Sequence, residues 1–230
     1  MSKTIAFVFA RGGSKGLPGK NIKALCGKPL IQYSIDRALA SEQIDDIYVS
    51  TDDANIAHVA RECGAKVIDR PEELATDNSP EWLSWQHAIN WVKQNDGSFK
   101  IFVSLPATSP LTAVVDVDSA ISQLKQSGAD ICLSVTPSNH HPSFNMVTLD
   151  DERYASLMFN SENKVIRRQD APKAYNITTC VYAATTDFVM QGKGLFDGKT
   201  TAIEVPRERA VDIDDIIDFK FAELLMTEQT

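Results

Sequence analysis

Three basic side chains, Arg11, Lys15 and Lys20, share the segment ARGGSKGLPGKN (10–21) with four glycines and a proline. That mixture suits a polyanion. Arginine offers a rigid fork for phosphate oxygens and lysine a compact point charge. Glycine lets backbone N–H groups close on a ligand where a Cβ would clash, so the loop can form an anion-binding nest. The bland alternative is a solvated turn with incidental charge. Two common phosphate motifs fail here. Walker A needs a glycine five residues before its Gly-Lys pair and Ser or Thr after it, but Gly19-Lys20 has Ser14 upstream and Asn21 downstream. The dinucleotide fingerprint fails because Gly12-Gly13-Ser14 is in the wrong register.

Such a loop needs a fixed edge to stand on. TIAFVFA (4–10), directly before it, reads as a buried strand. Leu30, Ile31, Ile35, Ala38 and Leu39 then fall on one face of a helix that Pro29 can start. DDIYVST (45–51) reads as a strand, DANIAHVARECG as a helix closed by Gly64, and AKVIDR as a strand. A tryptophan-rich helix follows Pro80 to about Asn95. IFVSLP (101–106), VVDVDSAISQLKQSG and ADICLSVT (129–136) continue as strand, helix, strand. This alternation predicts an α/β fold with a mostly parallel sheet flanked by helices.

From about Pro137 the rhythm breaks into short polar and aromatic pieces, read as an inserted arm over 137–176. The core is then 1–136 and 177–230. ITTCVYAATTDFVM restores regular structure, and VDIDDIIDFKFAELLM reads as a strand end leading into an amphipathic helix. In an open parallel sheet, ligands bind outside the carboxyl ends of the strands. The opening loop, Thr51-Asp52-Asp53, Arg70-Pro71 and Ala107-Thr108-Ser109-Pro110 all belong at such ends. Four stretches should converge there.

Thirty-one acidic against 23 basic residues give a net charge of −8, which argues against nucleic-acid binding and for a small focused anion site. No apolar run approaches the roughly 20 residues needed to span a bilayer. The N-terminus reads as a strand and not a signal peptide, so a cytoplasmic protein is expected. Cys26, Cys63, Cys132 and Cys180 form no CxxC pair and are read as buried structural thiols.

ARGGSKGLPGKN resembles the opening motif of the sugar-acid cytidylyltransferases, above all the CMP-N-acylneuraminate synthetases, close to A-R-x-x-S-K-G-x-x-x-K-N. The resemblance continues in order through VSTDDANIA, RPEELATDNSP, LPATSPLT, NHHPSFN, RRQDAP and VDIDDIIDF. It implies a Rossmann-like nucleotidyltransferase fold whose inserted arm makes a homodimer. It also implies transfer of CMP from CTP to the anomeric oxygen of a nonulosonic acid, with pyrophosphate released.

The resemblance assigns roles. Arg11 and Lys20 would hold phosphate oxygens and carry catalysis. Ala10, Gly12, Gly13, Lys15 and Asn21 would complete the nucleotide loop, and Arg70, Asp77 and Ser79 would meet the base. Asp212 and Asp214, two apart in VDID, would point the same way from an extended segment and bind Mg²⁺. Their alternative reading is an acidic cap for the last helix, which Asp215 and Asp218 fit better. Arg168, beside Arg167, would meet the sugar carboxylate as a bidentate donor, with Gln169, Tyr182 and Phe196 also on the sugar side. No residue is an obvious base. His140 and His141 lie in the arm, while His58 and His87 receive no role.

Two departures fall in the sugar half. A family glutamine and arginine are replaced by Pro106 and Thr112, and an Asn-Gly pair by Thr178-Thr179. Legionaminic- or pseudaminic-type acids therefore stand beside N-acetylneuraminate as acceptors. An octulosonate enzyme and a non-catalytic nucleotide-binding protein are the alternatives, but the octulosonate relatives' Q-G-D-E-P motif is absent.

Overall fold

The apolar run after Lys3 forms β1 (Thr4–Phe9), buried at every position but its last. The computed structural model describes residues 3–159, 167 and 172–228. β1 is central, parallel to β4 (Asp46–Thr51) on one side and β6 (Ile101–Ser104) on the other. β5 (Lys66–Asp69) extends the sheet beyond β4. On the far side β10 (Tyr175–Thr185) runs antiparallel to both β6 and β7 (Ile131–Pro137), and β11 (Thr200–Glu204) closes that edge parallel to β7. The order is β11-β7-β10-β6-β1-β4-β5. Only β10 opposes the rest. Two small ladders stand apart, β2 (Ala24–Leu25) with β3 (Lys28–Pro29) and β8 (Val147–Leu149) with β9 (Ala155–Leu157).

Alternate residues of a strand face opposite sides, and β1 divides its apolar residues accordingly. Ala6 and Val8 pack with α1 (Leu30–Ala40), α2 (Ala54–Glu62) and α4 (Val114–Ser127). Ile5 and Phe7 pack with α3 (Glu81–Asn95) and α5 (Thr186–Gln191), where Trp85, Ile89 and Val189 are buried. Each such large side chain contributes about 1.5–3 kcal/mol by burial. A third cluster joins Leu25 and Leu30 to Val211, Ile213, Phe219 and Ala222. It draws α6 (Ile216–Glu228) and the segment before it back to the first loop.

Three sequence expectations need correction. Val211 to Ile213 joins no ladder; Val211 and Ile213 point inward onto the third cluster. α6 is not amphipathic in the expected sense, because only Phe219 and Ala222 are buried while Ile217 is 73% exposed. Cys132 and Cys180 are buried as expected, but Cys63 is only partly buried and Cys26 is exposed. It sits with Gly27 at positive φ in the two-residue turn of the β2–β3 hairpin, which points outward.

Asp215 and Asp218 cap α6. Asp215 Oδ1 accepts from the N–H groups of Ile217 and Asp218, and Asp218 Oδ2 accepts from those of Asp214 and Asp215. β10 also carries a bulge. Ile177 pairs with Val135 but Tyr182 with Leu133, so five steps along β10 answer two along β7.

Candidate active site

The carboxyl ends of β1, β4, β5 and β6 bring their following loops to one edge of the sheet. The β1–β4 ladder runs one residue past Phe9, with the buried Ala10 N–H on the Ser50 carbonyl at 3.1 Å. The Gly12 N–H donates to Asp52 Oδ1 at 3.0 Å, and a Cβ on Gly12 would meet Asp53 Oδ2 at 2.8 Å. Asn21 is buried and donates from Nδ2 to the Arg11 carbonyl at 3.0 Å, clipping the loop shut. Gly13 stands open at the surface.

Two contacts join this loop to the C-terminal aspartates. Lys20, its side chain only 14% exposed, donates from Nζ to the Ile213 carbonyl at 2.6 Å and lies 3.5 Å from Asp214 Oδ1. Gly16 crosses so closely that a Cβ there would fall 2.3 Å from the Asp214 carbonyl oxygen. Ile213 is held from the other side, its N–H on the Thr108 carbonyl at 2.9 Å.

Arg11 and Lys15 both reach Asp77. Arg11 Nη1 is 2.8 Å from Asp77 Oδ1, and the Lys15 ammonium pairs with Oδ2. The lysine hydrogen bond, then the arginine, hold the Asp77 carboxyl below its usual range. Behind them lies a cavity of about 240 Å³ whose walls include Phe9, Arg11, Arg70, Asp77, Ser79 and Glu81. Arg70 is buried and stacked 5.6 Å over the Phe9 ring, and it donates to the Ser50 hydroxyl and carbonyl. Burial draws its pKa down to about 10. Ser79 Oγ is buried in the same wall with no partner among the described residues.

The two aspartates are unequal. Asp214 is 81% exposed at its side chain, whereas Asp212 is half-buried and its Oδ1 meets no hydrogen-bond partner among the described residues. Burial pushes the Asp212 carboxyl up; the Thr108 hydroxyl pulls it back, Asp214 raises it and Lys20 opposes. An enclosed carboxylate oxygen without a partner, with a second carboxylate near, is of the hard oxygen type that a divalent cation prefers. Among the described residues no cluster of three or more His, Cys, Asp or Glu forms. Tyr182 packs on Trp85, its pKa pushed to about 12 by burial and then by Glu81 and Asp212.

Phe196 does not belong here. It is 69% exposed in the loop between α5 and β11, at the end of the sheet where β6 and β7 begin. The antiparallel run of β10 carries the chain from Tyr182 away to that opposite edge. Arg168 and Gln169 lie outside the described residues. His140 and His141 line a separate cavity of about 530 Å³ with Lys173, Tyr175 and Glu204. Sequence reasoning missed Glu81 and the Ile213 carbonyl. The first hides inside a helix start, and the second is a backbone group that no residue type announces.

A model of the cytidylyltransferase family matches residues 5–227. The chain belongs to the cytidylyltransferase family. Pseudaminic acid cytidylyltransferase of Campylobacter jejuni is 31% identical over 224 residues, covering 97% of this chain and 96% of that one. N-acylneuraminate cytidylyltransferase of Streptococcus agalactiae is 33% identical over 219 residues, 94% of this chain. The present chain spans about half of that relative's length, 52%. The solved structure of CMP:2-keto-3-deoxy-manno-octonic acid synthetase complexed with CTP superposes over 100% of both chains with a TM-score of 0.75 at 19% identity, which is likeness of fold. The chain is thus a CTP-dependent nucleotidyltransferase related to the CMP-nonulosonate synthetases.

Proposed function

We propose that the protein transfers CMP from CTP to the anomeric oxygen of a nonulosonic acid, releasing pyrophosphate. The observation that carries this reading is the junction of Lys20 with Ile213 and Asp214, which sets the glycine-rich loop against the two aspartates. Nucleotidyl transfer needs charge stabilisation and positioning more than covalent chemistry. Arg11, Lys15 and Lys20 would bind the triphosphate, with Gly12 and Gly13 giving it close access to the backbone. Ala10 and Asn21 hold the loop's shape, while Arg70, Asp77 and Ser79 would frame the base.

Asp212 and Asp214 would hold Mg²⁺, which usually completes its shell with phosphate oxygens and water. When bound, Mg²⁺ polarises the reacting phosphorus and neutralises the leaving pyrophosphate. Tyr182 would face the acceptor, and the resemblance gives Arg168 and Gln169 to its carboxylate. Neither Pro106 nor Thr112 offers the side chain found in sialic-acid members, and Thr112 is buried with its carbonyl accepting from Arg37. That supports an acceptor of pseudaminic or legionaminic type.

The arm over 137–176 supports a homodimer. It exposes Val147, Leu149, Tyr154 and Phe159, each by more than half. Contiguous apolar exposure of that kind marks an interaction surface. Among the described residues no helix is long and apolar enough to cross a membrane, and the reading puts the enzyme in the cytoplasm. A pyrophosphate-release screen of CTP with N-acetylneuraminate, legionaminate, pseudaminate and octulosonate tests it. Release with a nonulosonate is expected; release with octulosonate alone, or with none, would overturn it.

A further inference from the structure

The polar groups lining the cavity behind Arg11 are unequally committed. Asp77 is spent on Arg11 and Lys15, and the Ser84 hydroxyl donates to the Leu74 carbonyl at 3.3 Å. Arg70 gives Nε to the Ser50 hydroxyl at 3.1 Å and Nη2 to the Ser50 carbonyl at 2.6 Å, which leaves Nη1. Ser79 Oγ is enclosed without a partner among the described residues. Glu81, the first residue of α3, lines the same cavity with its surface open, and it forms no ion pair among the described residues. The cavity therefore keeps one uncommitted carboxylate beside a cationic donor and a free hydroxyl.

The charges of that wall sustain one another. Desolvation by the surrounding protein pushes the Glu81 carboxyl up, while the Trp85 indole and Arg70 favour its ionised form. Burial draws Arg70 down, and Asp52 and then Glu81 oppose it. An anionic acceptor beside a cationic donor is a pattern that bases answer differently. Cytosine carries an exocyclic amine, a donor, next to the acceptors N3 and O2. Uracil carries a carbonyl, an acceptor, where cytosine has the amine. A carboxylate accepts from the cytosine amine. Against uracil the same carboxylate would meet another acceptor and be left unpaired, which costs affinity. Arg11 belongs both to this cavity and to the cationic loop, so a nucleotide whose phosphates rest on the loop has the cavity beside it.

We infer that Glu81 selects cytosine over uracil, its carboxylate accepting from the exocyclic amine of the base. This deepens the CTP reading proposed above and rests on it. Calorimetric titration of the protein with CTP and with UTP tests it and needs no sugar acceptor. The two nucleotides carry the same charge, so loss of the carboxylate's repulsion toward phosphate, or a general loosening of the site, moves both alike and leaves their ratio unchanged. Wild type should bind CTP about 10-fold or more tightly than UTP. Glu81→Ala should weaken CTP about 10-fold relative to UTP. Glu81→Gln, whose amide can also donate to the uracil carbonyl, should lower the ratio too. A ratio unchanged in both variants, or no preference in wild type, would overturn this inference alone. Wild type that binds neither nucleotide would instead overturn the CTP reading, and this inference with it.

Discussion

Lys20 Nζ meets the Ile213 carbonyl at 2.6 Å across 193 positions of sequence. This bond fixes the distance between the cationic loop and the acidic segment, and Gly16 fixes it a second time by passing against the Asp214 backbone. The two halves of the proposed site are therefore held by backbone-level contacts that tolerate little change.

Gly16→Ala should test that rigidity. An added Cβ would sit 2.3 Å from a carbonyl oxygen, so the loop or the Asp214 backbone must move. Misplacement by about 1 Å can cost roughly 100-fold in rate, and kcat/KM for CTP should fall by about that much. Gly194→Ala, where a Cβ meets nothing within 4 Å, should leave the rate unchanged. Steady-state pyrophosphate release measures both.

Asp77 pairs with two of the cations proposed to bind phosphate. An incoming anion must displace it. Asp77→Asn should therefore tighten binding of inorganic pyrophosphate several-fold in low salt, with the gain shrinking as salt screens the charges. Calorimetric titration at two ionic strengths checks this. If Asp77 also frames the base, the same variant should gain less for CTP than for pyrophosphate.

The raised pKa of Asp212 has a consequence for stability. Between the ordinary carboxyl value and the higher folded value, the native state binds more protons than the unfolded chain. Stability then falls as pH rises through that window and stays lower above it. Asp212→Asn lacks this penalty. Without metal it should melt above wild type at pH 7, with the gap closing as pH falls into the ordinary carboxyl range. Thermal unfolding over that pH range measures it, and a gap independent of pH would remove the ionised carboxylate as its cause.

Much of this architecture was legible in the residues. β1, β4, β5, β6 and β7 follow from short β-branched runs, and the helices between them from 3.6-residue apolar spacing. The VDID segment was read as a strand end, yet Val211 to Ile213 joins no ladder. Period two reports burial on one side, and here the buried side rests on Leu25 and Leu30, not on another strand. α6 misled for the opposite reason. Its apolar residues occur all around the helix, so spacing could not say that only Phe219 and Ala222 would find cover.

The site was legible in parts. Glycines and cations marked the loop, and topology placed Asp52, Arg70 and Thr108 at one edge. Its central bond was invisible, because the acceptor is the Ile213 carbonyl and its partner is 193 residues away. Phe196 shows the limit from the other side. An aromatic in a loop carries no sign of which edge it reaches, and the antiparallel course of β10 leads to the edge opposite Tyr182.

A crystal structure of the protein with CTP and Mn²⁺ tests the central claim most directly. Anomalous density should appear between Asp212 and Asp214, with the triphosphate lying across Arg11 and Lys20 and the cytosine toward Ser79. Nucleotide bound elsewhere, or a metal peak away from both aspartates, would contradict the account.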